Sequence, residues 1–213
     1  TPVVIGETQL ETDTIFRTKA TKEQAPIYFA DQRIETIPPT SLRGDYQVHN
    51  VQTVLQTITV LNSGPFRIPT EVVQQGLLKV TENTGLRGRW EVLGSFPTLI
   101  CDTAHNREGL SYVFKQLQSE KFQCLHLVLG MVNDKDVLSL LELFPKQAQY
   151  YFCKPNVPRG LEASELARIF NENGLEGLVC QSVKAALITA KQNASQDDVI
   201  YIGGSTFVVA EII

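Results

Sequence analysis

Asp102, His105 and Asn106 stand where an apolar strand, Thr98-Leu-Ile-Cys101, should stop and a helix should start. Just upstream, Gly85-Leu-Arg-Gly-Arg89 is a turn-rich joint, and Arg89 can offer its guanidinium to a bound anion. A carboxylate, an imidazole and an arginine at one strand end suit a ribose, a phosphate or an acyl group, because ligands of open α/β sheets bind at the carboxyl ends of strands. Asp102 in that place can accept two ribose hydroxyls. The plainer reading is a helix N-cap, but Asp102 is too early for a helix at Arg107, and Asn106 or Thr103 fits the cap better. His105 lies close to that helix N-terminus, which attracts phosphates and carboxylates; its plainer reading is a ring satisfied by nearby backbone. For Arg89 the plainer reading is a solvated surface arginine.

Two further strand ends share this character. Asn133-Asp-Lys-Asp136 follows the apolar run Leu125–Leu129 and opens an expected helix. Gly203-Gly-Ser-Thr206 follows Val199–Ile202, and its glycines would let the backbone approach a ligand. No G-x-x-x-x-G-K-[ST] loop occurs in the chain. His49 and His126 read as structural, the latter inside an apolar strand. Cys101, Cys124, Cys153 and Cys180 form no C-x-x-C pair, and each lies in or beside an apolar run. They read as buried reduced thiols of a cytoplasmic protein, not as metal ligands.

The elements that must position these residues are regular from Trp90 onward. Apolar strands are expected at 90–93, 98–101, 124–129, 149–153, 177–180 and 199–202. Helices are expected at 107–119, 134–143, 164–173, 183–193 and 206–213, with Ser182 as an N-cap and Asn173-Gly174 as a stop. Strands alternating with short helices predict a mostly parallel sheet covered on both faces. The first part is thinner in strands: 1–5 and 27–30, with helices at 11–20, 46–61 and from 69 to about 80. It reads as part of a domain, and a joint is expected near 84–88, giving domains 1–84 and 85–213.

A chain of 213 residues with a net charge of -4 lacks the basic excess of a broad nucleic-acid surface. Its longest apolar runs are strand length, which speaks against a membrane span. The chain opens on Thr1-Pro-Val-Val-Ile, a strand and not a signal peptide, and without a Met it is expected to be a fragment of a longer protein.

Taken together, Gly44-Asp-Tyr-Gln-Val-His-Asn50, Leu86-Arg-Gly-Arg89, Asp102-Thr-Ala-His-Asn106, Asp134-Lys-Asp136 and Gly204-Ser205 resemble, in this order, the motif series of the folylpolyglutamate synthase and dihydrofolate synthase family of the Mur ligase superfamily. Tyr46, Arg87 and Thr103 depart from the family's His, Pro and Gly. The resemblance implies a Rossmann-like Mur ligase C-terminal domain preceded by a partial α/β segment of a central ATPase domain. It implies that Asn50, Arg89 and Asp102 contact the nucleotide, Asp102 through the ribose. His105, as a catalytic residue, and Ser205 would lie on the glutamate and acyl-phosphate side. The implied cofactors are ATP and Mg²⁺, with metal ligands outside this chain. The implied partners are L-glutamate, a folate or dihydropteroate, and a missing N-terminal part. On this reading the fragment is inactive alone. A non-catalytic Rossmann-like nucleotide-binding module and a Mur-type cell-wall peptide ligase are the alternatives.

Overall fold

The computed structural model describes residues 1–134 and 136–213 in two compact units, Thr1–Gly85 and Leu86–Ile213. In the first unit, β1 (Val3–Ile5) and β2 (Ile27–Phe29) pair in parallel on either side of α1 (Leu10–Lys22). Helices α2 (Gln47–Asn62), α3 (Thr70–Leu78) and α4 (Val80–Thr84) follow. The apolar face expected on α2 is only partly used: Val51 is buried, whereas Val54 is 41% exposed. His49, on that helix, places Nδ1 2.8 Å from the Glu7 carboxylate.

In the second unit, among the described residues, β3 (Glu91–Ser95), β4 (Thr98–Cys101), β5 (Leu125–Leu129), β6 (Ala148–Phe152), β7 (Gly177–Val179) and β8 (Val199–Gly203) form one sheet. The order is β3-β4-β8-β5-β6-β7, and every pairing is parallel except the β3–β4 hairpin. Helices α5 (Arg107–Ser119) and α6 (Ala163–Asn171) cover one face; α7 (Val183–Asn193) and α8 (Thr206–Ala210) cover the other. Alternation along β8 explains the two layers. Val199 and Tyr201 enter the cluster with Leu110, Phe114 and Phe170, and Ile200 and Ile202 the cluster with Val183, Ala186 and Val208. A strand buried on both faces has to be apolar throughout, as this one is.

The helix expected over 134–143 is instead a 3-10 helix confined to Leu138–Leu143. Leu140 and Leu141 are its buried residues, and Pro145 follows its cap residue Phe144. Lys135 of the Asp-Lys-Asp block lies outside the described residues. The last helix is shorter than expected and ends at Ala210.

All four cysteines are free. Burial pushes the Cys101 and Cys153 thiols up to about 12, so neither offers a thiolate nucleophile at neutral pH. His126 is fully buried, with Nδ1 3.0 Å from the Tyr151 hydroxyl and Nε2 3.3 Å from an Asp198 oxygen, at the strand ends remote from Asp102. Among the described residues, no helix is long and apolar enough to cross a membrane.

Candidate nucleotide and acyl site at the sheet rim

The rim is built from the loops that leave β4 and β8, which are neighbours in the sheet. The Asp102 N–H donates to the Ile202 carbonyl at 3.2 Å, continuing the ladder by one residue and placing 102–105 beside 203–205.

The joint before β3 is folded tightly against this rim. Gly88 has φ 69°, and a Cβ there would sit 2.8 Å from Val209 Cγ1, so both its conformation and its surroundings require glycine. The Glu91 carboxylate accepts from Arg87 Nε at 2.5 Å and from the Gly88 N–H at 2.8 Å. The Thr103 N–H donates to the Gly88 carbonyl at 3.0 Å. Arg89 itself is exposed, and its Nη1 donates to the Thr103 hydroxyl. The Thr103 hydroxyl thus anchors the arginine.

Asp102 is buried at the end of β4. It is 1% exposed, Oδ2 accepts from the Trp90 N–H at 2.7 Å, and Oδ1 accepts from the Ala104 N–H at 2.8 Å. Its carboxylate thereby joins the stretch 88–90 to the loop 102–105. The direction was invisible in sequence because one partner lies twelve residues upstream.

His105 is exposed, with Nδ1 3.0 Å from the Thr103 carbonyl. A carbonyl only accepts, so Nδ1 carries the proton, and Nε2 of the neutral ring is an acceptor. Asn106, not Asp102, caps α5: its side chain accepts from the Gly109 N–H at 2.9 Å.

Ser205 is 2% exposed and caps α8, its Oγ accepting from the Phe207 N–H at 3.2 Å. The two glycines before it are required by the packing around them. A Cβ on Gly204 would meet Leu129 Cδ1 at 2.6 Å and the Gly130 carbonyl at 2.9 Å, and one on Gly203 would meet the Tyr201 ring. The protein's own atoms fill the space those glycines leave.

Asp134 and Asp136 stay on the rim with structural partners. Asp134 pairs with Arg159 at 3.0 Å, and Asp136 Oδ1 accepts from the Ser139 N–H at 3.3 Å. Arg159 is a cation that the sequence pattern did not single out. It lies 5.0 Å over the Phe207 ring, and its carbonyl accepts from the Asn133 N–H at 2.9 Å. The signal for it was the Pro155–Gly160 loop after a third strand end. Asn50 belongs to the first unit, exposed on α2, where its Nδ2 donates to Gln47 Oε1 at 2.9 Å.

Comparison with known proteins gives one family model, described as Mur ligase, glutamate ligase domain, matching residues 88–206. A probable bifunctional folylpolyglutamate synthase/dihydropteroate synthase of Haloferax volcanii is 32% identical over 171 residues, covering 80% of this chain and 20% of that protein. A solved bifunctional folylpolyglutamate synthase/dihydrofolate synthase with Mn, AMPPNP and L-glutamate bound superimposes with a TM-score of 0.80 at 25% identity, over 100% of this chain and 52% of that one. The Mycobacterium tuberculosis folylpolyglutamate synthase complexed with ADP and AMPPCP shares the fold, with a TM-score of 0.86 at 22% identity, over 99% of this chain and 53% of that one. The chain therefore spans about half of these solved proteins and a fifth of the Haloferax protein.

Proposed function

The chain belongs to the Mur ligase family through its glutamate ligase domain, and from that premise we propose that it is part of an ATP-dependent ligase adding L-glutamate to dihydropteroate or a folate. The observation that carries this reading is the rim itself. An exposed guanidinium and an exposed imidazole acceptor stand on adjoining turns, within the stretch that matches a glutamate ligase domain. The likeness to a solved synthase holding AMPPNP and L-glutamate supports it.

In this reading ATP phosphorylates the pteroate or folate carboxylate, releasing ADP. The amine of L-glutamate attacks the acyl phosphate, an amide forms, and inorganic phosphate leaves. Arg89 is a nucleotide contact, offering a planar charge to phosphate oxygens. His105 is the catalytic residue, its Nε2 placed to take a proton from the incoming amine while Thr103 fixes the ring through Nδ1. The buried Ser205 orders the turn on the glutamate side. Asn50 is a nucleotide contact from the first unit, and residues 1–84 are the tail of a central ATPase domain, with 85–213 as the C-terminal domain. Mg²⁺ neutralises phosphate charge, and its protein ligands are proposed to come from outside this chain. Among the described residues, no group of three or more His, Cys, Asp or Glu side chains is placed to hold a metal ion. The setting proposed for the whole protein is the cytoplasm, where thiols stay reduced.

The test is the full-length protein assayed with ATP, Mg²⁺, L-glutamate and either dihydropteroate or tetrahydrofolate. Product carrying one added glutamate, with ADP and phosphate formed in equal amounts, is the expected result. Arg89→Ala should raise KM for ATP by roughly 10- to 100-fold, the loss of a hydrogen bond to a charged group, with little change in melting temperature. ADP formation independent of glutamate and of the pterin acid counts against the ligase, and an unchanged KM removes Arg89 from the site.

A further inference from the structure

We propose that Asp198, His126, Tyr151 and Gln149 form a proton-linked switch at the amino ends of the strands: when the buried imidazole takes up a second proton, the Tyr151 hydroxyl turns from His126 to Gln149.

His126 is fully buried, its ring stacked on Tyr151 with centroids 5.9 Å apart. Nε2 lies 3.3 Å from Asp198 Oδ2, and Nδ1 lies 3.0 Å from the Tyr151 hydroxyl. Burial pushes the Asp198 carboxyl up, but the bonds from Ser195, His126 and Cys124 hold it below its ordinary value. It is therefore a carboxylate at neutral pH and only accepts, so Nε2 carries a proton in either state of the ring.

The choice lies at Tyr151. Its hydroxyl accepts from Asn193 Nδ2 at 3.2 Å and has one proton for two acceptors, His126 Nδ1 and Gln149 Oε1, the latter at 3.1 Å. If the proton goes to Gln149, Nδ1 has to donate to the hydroxyl oxygen. The ring then holds two protons and forms a buried ion pair with Asp198, which offsets the cost of its charge. In that state Gln149 Nε2 donates to Cys124 Sγ at 3.5 Å. If the proton goes to Nδ1, the ring is neutral, and the Gln149 carbonyl would face a lone pair. Turning the amide over removes the conflict: Nε2 then donates to the Tyr151 oxygen, and Oε1 accepts from the Cys124 thiol. Both arrangements satisfy every polar atom with almost no change of shape, which is what a two-state element requires.

The titratable groups that act on this network are Asp198, Tyr151, Cys124 and, through Tyr151, Cys180. Burial pushes the Tyr151, Cys124 and Cys180 groups up, so all three keep their protons at neutral pH and the added proton has to sit on His126. Gln149 is exposed, and with Tyr151, Glu176 and Leu178 it lines a cleft of about 360 Å³ between β6 and β7. Turning its amide exchanges an acceptor for a donor there, so the charge of a ring without solvent contact is displayed at the surface.

The experiment uses the full-length protein, ¹⁵N-labelled in histidine and in glutamine side chains, followed by NMR from about pH 5 to 8, the range in which imidazoles change charge. The His126 Nδ1 signal should move between its neutral and imidazolium positions, and the Gln149 amide signal should move with the same midpoint. Gln149→Leu fills the same space without an acceptor and identifies the Gln149 signal by its loss. It should lower the proton affinity of His126 by about 2- to 10-fold, the size of one net hydrogen bond. In a Tyr151→Phe background the same substitution should change that affinity by less than about twofold, because the coupling runs through the hydroxyl.

A His126 ring that keeps one protonation state over the whole range in which the protein is folded overturns the proposal. So does a Gln149 amide that does not follow the ring, or an affinity that Gln149→Leu leaves unchanged. An effect of Gln149→Leu that persists undiminished in Y151F shows that Tyr151 is not the relay. Should Y151F not fold, the shared midpoint of His126 and Gln149 in the wild type decides alone.

Discussion

Alanine at Gly204 is expected to destabilise the second unit by about 2–5 kcal/mol, a large part of the stability of an ordinary domain. Two causes add. The residue has φ 84°, and a side chain in the left-handed region costs roughly 1–2 kcal/mol. The new Cβ would then lie 2.6 Å from Leu129 Cδ1 and 2.9 Å from the Gly130 carbonyl oxygen. Leu129 is fully buried, and the Gly130 backbone donates its N–H to the Gly203 carbonyl at 3.4 Å, so neither neighbour can withdraw without disturbing the β5–β8 pair. Overpacking of this kind costs about 1–3 kcal/mol. Gly174→Ala is the control. It has φ 75° but nothing within 4 Å of a new Cβ, so it should show the backbone penalty alone. The measurement is the denaturation midpoint of each variant. Equal losses at the two sites would mean that the close approach at Gly204 carries no weight.

That comparison shows why the fold was easier to read than the site. Strands such as Val199–Ile202 are apolar on both faces because both faces are covered, and continuous apolar runs survive in one dimension. The bounds of α5, Arg107–Ser119, follow from local signals: Asn106 as cap, then Leu110, Val113, Phe114 and Leu117 on one face. The stretch after Asn133 misled because Val137, Leu140, Leu141 and Phe144 satisfy three- and four-residue spacings equally, and packing chose the tighter turn. At the rim, the strand ends were legible, and so was the crowding of polar residues there. The direction of each side chain was not. Asp102 faces inward because Trp90, distant in sequence, has an unusual φ and a buried N–H to satisfy. Gly203 and Gly204 read as an open loop because glycine's missing side chain looks the same whether a ligand or Tyr201 and Leu129 fill the space. Arg159 went unnoticed because its neighbours Asp134 and Phe207 come from another loop and from α8.

The largest loss of stability is expected from Asp198→Ala, at the end of the sheet remote from that rim. Asp198 is 5% exposed. Its carboxylate accepts from the Ser195 N–H at 2.7 Å and the Cys124 N–H at 2.9 Å, and it lies 3.3 Å from His126 Nε2. It therefore joins the turn before β8 to the start of β5 and holds the buried imidazole. Alanine leaves two backbone donors and the ring nitrogen without that partner, and breaking a buried hydrogen-bonded pair of this type costs about 3–5 kcal/mol. The loss should depend on pH with a defined sign. Burial pushes the Asp198 carboxyl up, but the hydrogen bonds from Ser195, His126 and Cys124 outweigh it and hold the group below its ordinary value. A depressed carboxylate stabilises the fold in full above its unfolded value of about 3.9, and the contribution disappears as pH falls through the folded value. The gap between wild type and Asp198→Ala should therefore be widest near neutrality and shrink once the solution is more acid than about pH 4. Urea midpoints of both proteins, taken from neutral to acid pH, give the gap directly, because every other carboxylate titrates alike in the two. A gap that stays constant into acid would show that Asp198 holds β5 and β8 together through shape alone, with its charge contributing nothing.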